Sequence, residues 1–216
     1  MRHYCADIGD ILLIIVDFQR PLTTVTPTLD GDVLTVLARA EAEFTGRAVH
    51  RLLGRASERG VRNALERLVR QGVVISRRAG ASKLYRLNAD HLAAPAVKAL
   101  ATLREELLRR LARTVAEWDA PPAQAVLFGS VARGDADEGS DLDILVVRPH
   151  DVADYDRWQD QLTRLQRDAT AWTGNDCRVL EYREDELNRQ PARDRVLTAA
   201  LREGVPLLAR GDDGGA

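Results

Sequence analysis

Gly129-Ser130-Val-Ala-Arg133-Gly-Asp-Ala-Asp-Glu-Gly-Ser140-Asp141-Leu-Asp143-Ile-Leu-Val-Val147 sets a Gly-Ser pair ten residues ahead of two carboxylates spaced i, i+2, which run directly into an apolar strand. Side chains alternate faces along a strand, so Asp141 and Asp143 project from one side while Leu142 points into a core. Two adjacent carboxylates repel unless a cation neutralises them. Hard oxygen donors of this kind suit Mg²⁺ (or Mn²⁺), which keeps several waters and completes its shell with substrate phosphates. The preceding run Ala125-Val-Leu-Phe128 reads as a strand, so Gly129-Ser130 is a strand-to-helix turn whose amides can cradle a phosphate. A phosphate cradle beside metal-binding carboxylates implies nucleotide chemistry.

These residues resemble the signature of the nucleotidyltransferases related to DNA polymerase β, in particular the small, minimal branch with its G-S, spacer, D-x-D pattern. The likeness spans about 85 residues, from near Pro122 to near Pro206. It implies a mixed sheet with helices and a third carboxylate on a later strand. The segment Cys177-Arg-Val-Leu-Glu181-Tyr offers Glu181 for that role, with Asp176 and Glu184 as competitors. On this resemblance Asp141, Asp143 and Glu181 are the metal ligands and catalytic carboxylates. Gly129 and Ser130 hold the triphosphate, Arg133 adds charge to the leaving pyrophosphate, and Ser140 orients Asp141. An NTP, ATP first among them, would be the donor. The acceptor (a protein, a nucleic acid or a small molecule) is not written in the sequence.

The chain has 216 residues, 45% hydrophobic and 30% charged, the composition of an ordinary globular protein with room for one large or two small domains. The apolar run at 11–16 is flanked by Asp7, Asp10 and Asp17, too short to span a membrane and unlike a signal peptide. It reads as a buried strand. Cys5 and Cys177 suggest neither a disulfide framework nor a metal site. None of the four histidines takes a role. The expectation is a cytoplasmic protein with no membrane partner.

Net charge is −2 but unevenly spread: residues 44–87 carry 11 Lys/Arg against 2 Asp/Glu. That density is the footprint of a nucleic-acid contact. The same region has an architecture. Leu29, Val33, Leu34, Val36 and Leu37 make one face of a first helix, Thr45 caps a second, and Ser57 caps a third that stops at Gly72. Val73-Val-Ile75 and Leu84-Tyr-Arg-Leu87 flank a basic turn and read as a hairpin. Three helices and a basic hairpin over residues 28–90 resemble the winged helix-turn-helix of bacterial transcription regulators. The resemblance implies double-stranded DNA as partner, with the third helix in the major groove. Ser57, Arg59, Arg62, Asn63 and Arg67 would lie along it, and Arg77, Arg78 and Lys83 would meet phosphates from the wing.

Apolar residues at helical spacing over 95–118 predict one long joining helix, opened by Pro95 and closed before Pro121-Pro122. Its stripe of Leu100, Leu103, Leu107 and Leu111 is suited to pairing two chains as a homodimer. Residues 152–172 predict a second long helix, and 191–208 a helix, a stop at Gly204 and a final strand. The expected whole is a two-domain α+β protein. It has a winged helix-turn-helix over 1–94, a linking helix over 95–120, a nucleotidyltransferase over 121–210 and a disordered tail over 211–216. A catalytically silent, nucleotide-sensing regulator and the transferase of a toxin-antitoxin pair are the rival readings.

Overall fold

The computed structural model of the protein describes residues 16–40, 42–136, 139–189 and 195–208. A 3-10 turn at Pro21–Thr24 leads to α1 (Leu29–Arg39), a two-residue strand β1 (Phe44–Thr45), α2 (Gly46–Leu53), α3 (Glu58–Arg70), and the hairpin of β2 (Val74–Ala79) and β3 (Ser82–Leu87). Hydroxyl caps set two of these starts. Thr45 Oγ1 accepts from the Ala48 amide and Ser57 Oγ from the Gly60 amide, both at 3.1 Å, satisfying donors that a helix start leaves over. Strand β3 lies between β1 and β2, antiparallel to both. Val33, Leu37, Val49, Val61, Leu65 and Leu68 fill the space between the helices and the inner face of this sheet, where Tyr85 and Leu87 meet them.

The helix expected over 95–118 is two helices, α4 (Ala94–Ala101) and α5 (Leu103–Ala116), broken at Thr102. The pattern shows why. Ala94, Val97 and Ala101 are buried in the N-terminal core, whereas Leu107, Leu111 and Val115 are buried in the C-terminal one. At 100° per residue Val97 and Val115 would share one direction on a straight helix, yet they serve separate cores. The break lets each set reach its own core, and the Thr102 hydroxyl donates to the freed carbonyl of Lys98 at 3.0 Å. Of the stripe that the sequence offers to a second chain, Leu107 is 3% exposed and Leu111 fully buried within this one, while Leu100 and Leu103 are half-buried.

The remaining elements are β4 (Gln124–Phe128), α6 (Gly129–Arg133), β5 (Leu142–Arg148), α7 (Tyr155–Thr173), β6 (Cys177–Arg183), α8 (Glu184–Arg189), α9 (Arg195–Glu203) and β7 (Val205–Pro206). Their sheet has the order β6-β5-β4-β7. β5 and β6 are parallel, joined by the crossover helix α7, while β4 is antiparallel to both its neighbours. One face carries Ala125, Leu127, Leu142, Ile144 and Val146 against α5 and α7, with Trp158 and Leu165 at its centre. The other carries Val126, Phe128, Leu145 and Val147 against Leu197 and Ala200 of α9.

The chain also crosses between the cores near its start. Val16 and Phe18 belong to the C-terminal core, and the Val16 amide donates to the Thr173 carbonyl at 3.0 Å. Arg39 of α1 ties both crossings, donating to Phe18 O at 3.0 Å and to Ala101 O at 3.1 Å. Apart from Val16, the strand expected at 11–16 lies outside the described residues, as does the tail at 211–216. Among the described residues no helix is long and apolar enough to cross a membrane.

Candidate active site

β4 ends at Phe128, paired in register with Asp143 at the start of β5. The chain then turns through Gly129, whose φ of 76° is open to glycine but strained for any residue with a Cβ. A side chain there would also have to displace the end of the Asp143 carboxylate. A Cβ on Gly129 would lie 2.7 Å from Asp143 Oδ2, so the turn's backbone lies flush against the carboxylate. Ser130 follows in the first turn of α6, and its carbonyl accepts from the amides of Gly134 and Asp135 at 2.9 and 3.1 Å. Arg104 of α5 clamps the other end of this short helix, donating to Val131 O at 2.7 Å and also to Ala132 O. The structure thus brings Gly129, Ser130 and Asp143 together.

Asp141 joins them from the residue before β5. Asp143 lies level with Arg178 of β6, and Arg178 Nη1 stands 2.8 Å from Asp141 Oδ2 and its Nε 3.4 Å from Asp176 Oδ2. Burial, then the negative charge of Asp141, holds the Asp143 carboxyl above the ordinary aspartate range, with Arg178 opposing and Asp176 adding to the rise. The sign for stability follows. A carboxyl with a raised folded-state pKa binds more protons folded than unfolded, so its ionisation opposes folding as pH climbs past the ordinary aspartate value. In the absence of divalent cations, Asp143→Asn should raise the melting temperature at neutral pH and leave it unchanged well below the ordinary aspartate range. Melting curves across that span check this; a variant that loses stability at neutral pH contradicts it.

Glu181 does not stand with the pair. In parallel register it lies level with Val146, three residues along β5 from Asp143, and therefore on the opposite face. There it accepts from Arg148 Nε at 2.7 Å, from the Trp158 indole N–H at 2.9 Å and from Gln159 Nε2 at 3.0 Å. Trp158 is fully buried and packs edge-on against Trp118, ring centroids 5.7 Å apart. Glu181 answers the one polar atom of that buried ring. Glu184, the other competitor, pairs with His150 at 3.4 Å beyond the far end of β6. Of Asp176, Glu181 and Glu184, only Asp176 lies near Asp143.

Ser140 contributes its carbonyl, which accepts from buried Asn175 at 2.9 Å and fixes the approach to Asp141. Arg133 is exposed and paired with Asp135 at 3.2 Å. Arg178, Asn175 and Arg104 belong to the site without any motif in the sequence that marks them. Strand alternation says that 178, 180 and 182 share a face, but which face meets the carboxylates depends on the β5–β6 register. Cys177 is buried, with its thiol pKa pushed up to about 12, and is unsuited to chemistry. Among the described residues, no three carboxylate, histidine or cysteine side chains gather as metal ligands.

On the N-terminal half, Arg59, Arg62, Asn63 and Arg67 line the exposed side of α3, and Arg78 and Lys83 face one another across the hairpin. Ser57 is the α3 cap. Two of the basic residues are already paired: Arg67 with Asp30 at 2.9 Å, and Arg77 with Glu43.

Residues 108–193 match the family model described as Nucleotidyltransferase domain. The span contains Gly129, Ser130, Asp141, Asp143 and Glu181, so the candidate site lies within the stretch that resembles this family. A crystal structure described as "a putative nucleotidyltransferase from Sulfolobus solfataricus" is similar at 22% identity, over 47% of this chain and 76% of that one, with a TM-score of 0.30. No protein of curated function matches.

Proposed function

We propose that the protein joins a winged helix-turn-helix, which binds double-stranded DNA, to a nucleotidyltransferase that moves a nucleotidyl group from an NTP to an acceptor. The observation that carries the second half is the close approach of Gly129 to Asp143, with Asp141 beside it, inside the segment that matches the family. The donor set fits a hard divalent cation. Two neighbouring carboxylates, one partly desolvated, gain from a positive charge, and Mg²⁺ takes one or two protein carboxylates and completes its shell with water and phosphate. Asp141 and Asp143 would hold Mg²⁺ (or Mn²⁺), which supplies Lewis-acid charge to the triphosphate. The Gly129–Ser130 turn, with no side chain in the way, admits phosphate oxygens against its amides. In the reaction the acceptor oxygen bonds to the α-phosphorus, the bond to the bridging oxygen breaks, and pyrophosphate leaves with that electron pair. The acceptor's proton passes to solvent.

The position of Glu181 on the other face, and of Arg178 beside Asp141, favours a second reading: a nucleotide-sensing regulator that binds but does not transfer. Incubating the full chain with α-labelled ATP, Mg²⁺ and a bacterial lysate separates the two. Transfer predicts a labelled protein or nucleic acid that is absent with Asp141→Ala/Asp143→Ala. Binding of the nucleotide with no labelled acceptor selects the sensor.

The basic half supports DNA binding through charge and shape. Ion pairs on the surface are worth only about 0–1 kcal/mol, so Arg67 and Arg77 are open to exchange for phosphate. Replacing Arg78 and Lys83 by alanine should weaken binding to all duplexes and lower the slope of log affinity against log salt by about one for each phosphate no longer neutralised. Arg59→Ala and Arg62→Ala should change sequence preference instead, by about 1–3 kcal/mol at the base each reads. Electrophoretic shifts at several salt concentrations, using the DNA upstream of the protein's own gene, check both. No shift at low salt assigns the module to protein contacts.

A further inference from the structure

The face of the sheet that bears Asp141 and Asp143 has a cation built into it. Along β6 that face presents Arg178, Leu180 and Tyr182, while Cys177, Val179 and Glu181 go to the other. A carboxylate on β6 level with Asp143 would complete a site for two ions, and Arg178 occupies that level. Its guanidinium bridges Asp141 at 2.8 Å and Asp176 at 3.4 Å. A second metal ion there would meet a fixed positive charge, with Asp176 held by the same guanidinium and Leu180 and Tyr182 beyond it. Arg178 itself is 59% exposed, so its fork can leave Asp141 for an incoming group without unfolding anything. Arginine stays charged at any physiological pH and matches phosphate oxygens in pairs.

We propose that this site takes one divalent cation, and that Arg178 supplies the second positive charge by binding the triphosphate directly. The proposal rests on reading this face as a nucleotide site. Without nucleotide, Arg178 neutralises Asp141. When a cation reaches Asp141 and Asp143, the guanidinium is released from Asp141 and turns to the phosphates, which makes Arg178 a phosphate-binding residue.

The test counts Mn²⁺ by electron paramagnetic resonance on the full chain, with saturating α,β-methylene-ATP, and measures analogue affinity alongside. Wild type should hold one Mn²⁺ per chain. Arg178→Ala should weaken the analogue by about tenfold to a hundredfold, the range for removing one charge-assisted hydrogen bond. It should also bind Mn²⁺ more tightly in the absence of nucleotide, because a competitor for Asp141 is gone. Arg178→Lys should restore part of the analogue affinity, and Arg178→Asp should admit a second Mn²⁺. Two Mn²⁺ in wild type, or an Arg178→Ala variant with unchanged analogue affinity, would overturn the proposal while leaving the nucleotide site standing. A wild type that binds neither Mn²⁺ nor analogue would remove the site itself, and this proposal with it.

Discussion

Asp141→Ala/Asp143→Ala should lose Mg²⁺-dependent nucleotide binding by more than about a hundredfold, with the fold intact. The loss is large because both candidate ligands go at once, and among the described residues no three metal-ligating side chains gather elsewhere. Stability should hold or rise, since two like charges leave one face and one of them is desolvated. Against this, Arg178 loses its bridge to Asp141, but an exposed pair is worth at most about 1 kcal/mol. Calorimetric titration with Mg²⁺–ATP and a thermal melt on the same sample separate the two effects. Unchanged affinity in the double variant would mean that the carboxylates are not the nucleotide site. Lost affinity with a collapsed melt would mean that they are structural.

Glu181→Ala should behave in the opposite way. It removes the acceptor for the indole N–H of fully buried Trp158 and for Gln159, and leaves the partly buried Arg148 with only the Tyr155 ring against it. Leaving such groups unpaired costs about 2–4 kcal/mol, which lowers the melting temperature by about 5–15 °C in a chain of this size. Nucleotide affinity should stay within about twofold of wild type once the variant is folded, because Glu181 is on the far face of the sheet. Glu181→Gln keeps an acceptor for Trp158 and should recover part of the stability. Were Glu181→Ala to abolish metal binding with no loss of stability, Glu181 would be a ligand after all and the β5–β6 register would be wrong.

The contrast between these variants shows where the sequence is legible. Local rules locate Gly129: a glycine ending an apolar strand, ahead of a carboxylate pair, signals a strand-to-helix turn. The hydroxyl caps Thr45 and Ser57, the hairpin over 74–87 and the carboxylate pair at the head of β5 are equally local. Long-range register is different. Glu181 and Arg178 sit three residues apart on one strand, and alternation alone puts them on opposite faces without saying which face belongs to Asp143. The burial of Cys177 and Val179 against α5 and α7 makes that choice. The break at Thr102 is hidden for a related reason. Spacing over 95–118 satisfies a helix throughout, and only the presence of two separate cores calls for the break. Arg104 and Arg39 act through backbone carbonyls, which leave no trace in the pattern of side chains.

Nucleotide affinity of the wild-type chain, measured by calorimetry for α,β-methylene-ATP in excess Mg²⁺ and again in excess EDTA, bears on whether Asp141 and Asp143 form a cation-dependent site. The carboxylates repel a bare triphosphate and bind it through a cation, so affinity should fall by at least about tenfold in EDTA, with the Mg²⁺ dependence gone in Asp141→Ala/Asp143→Ala. Equal affinities with and without Mg²⁺ would contradict a metal-bridged nucleotide at this turn.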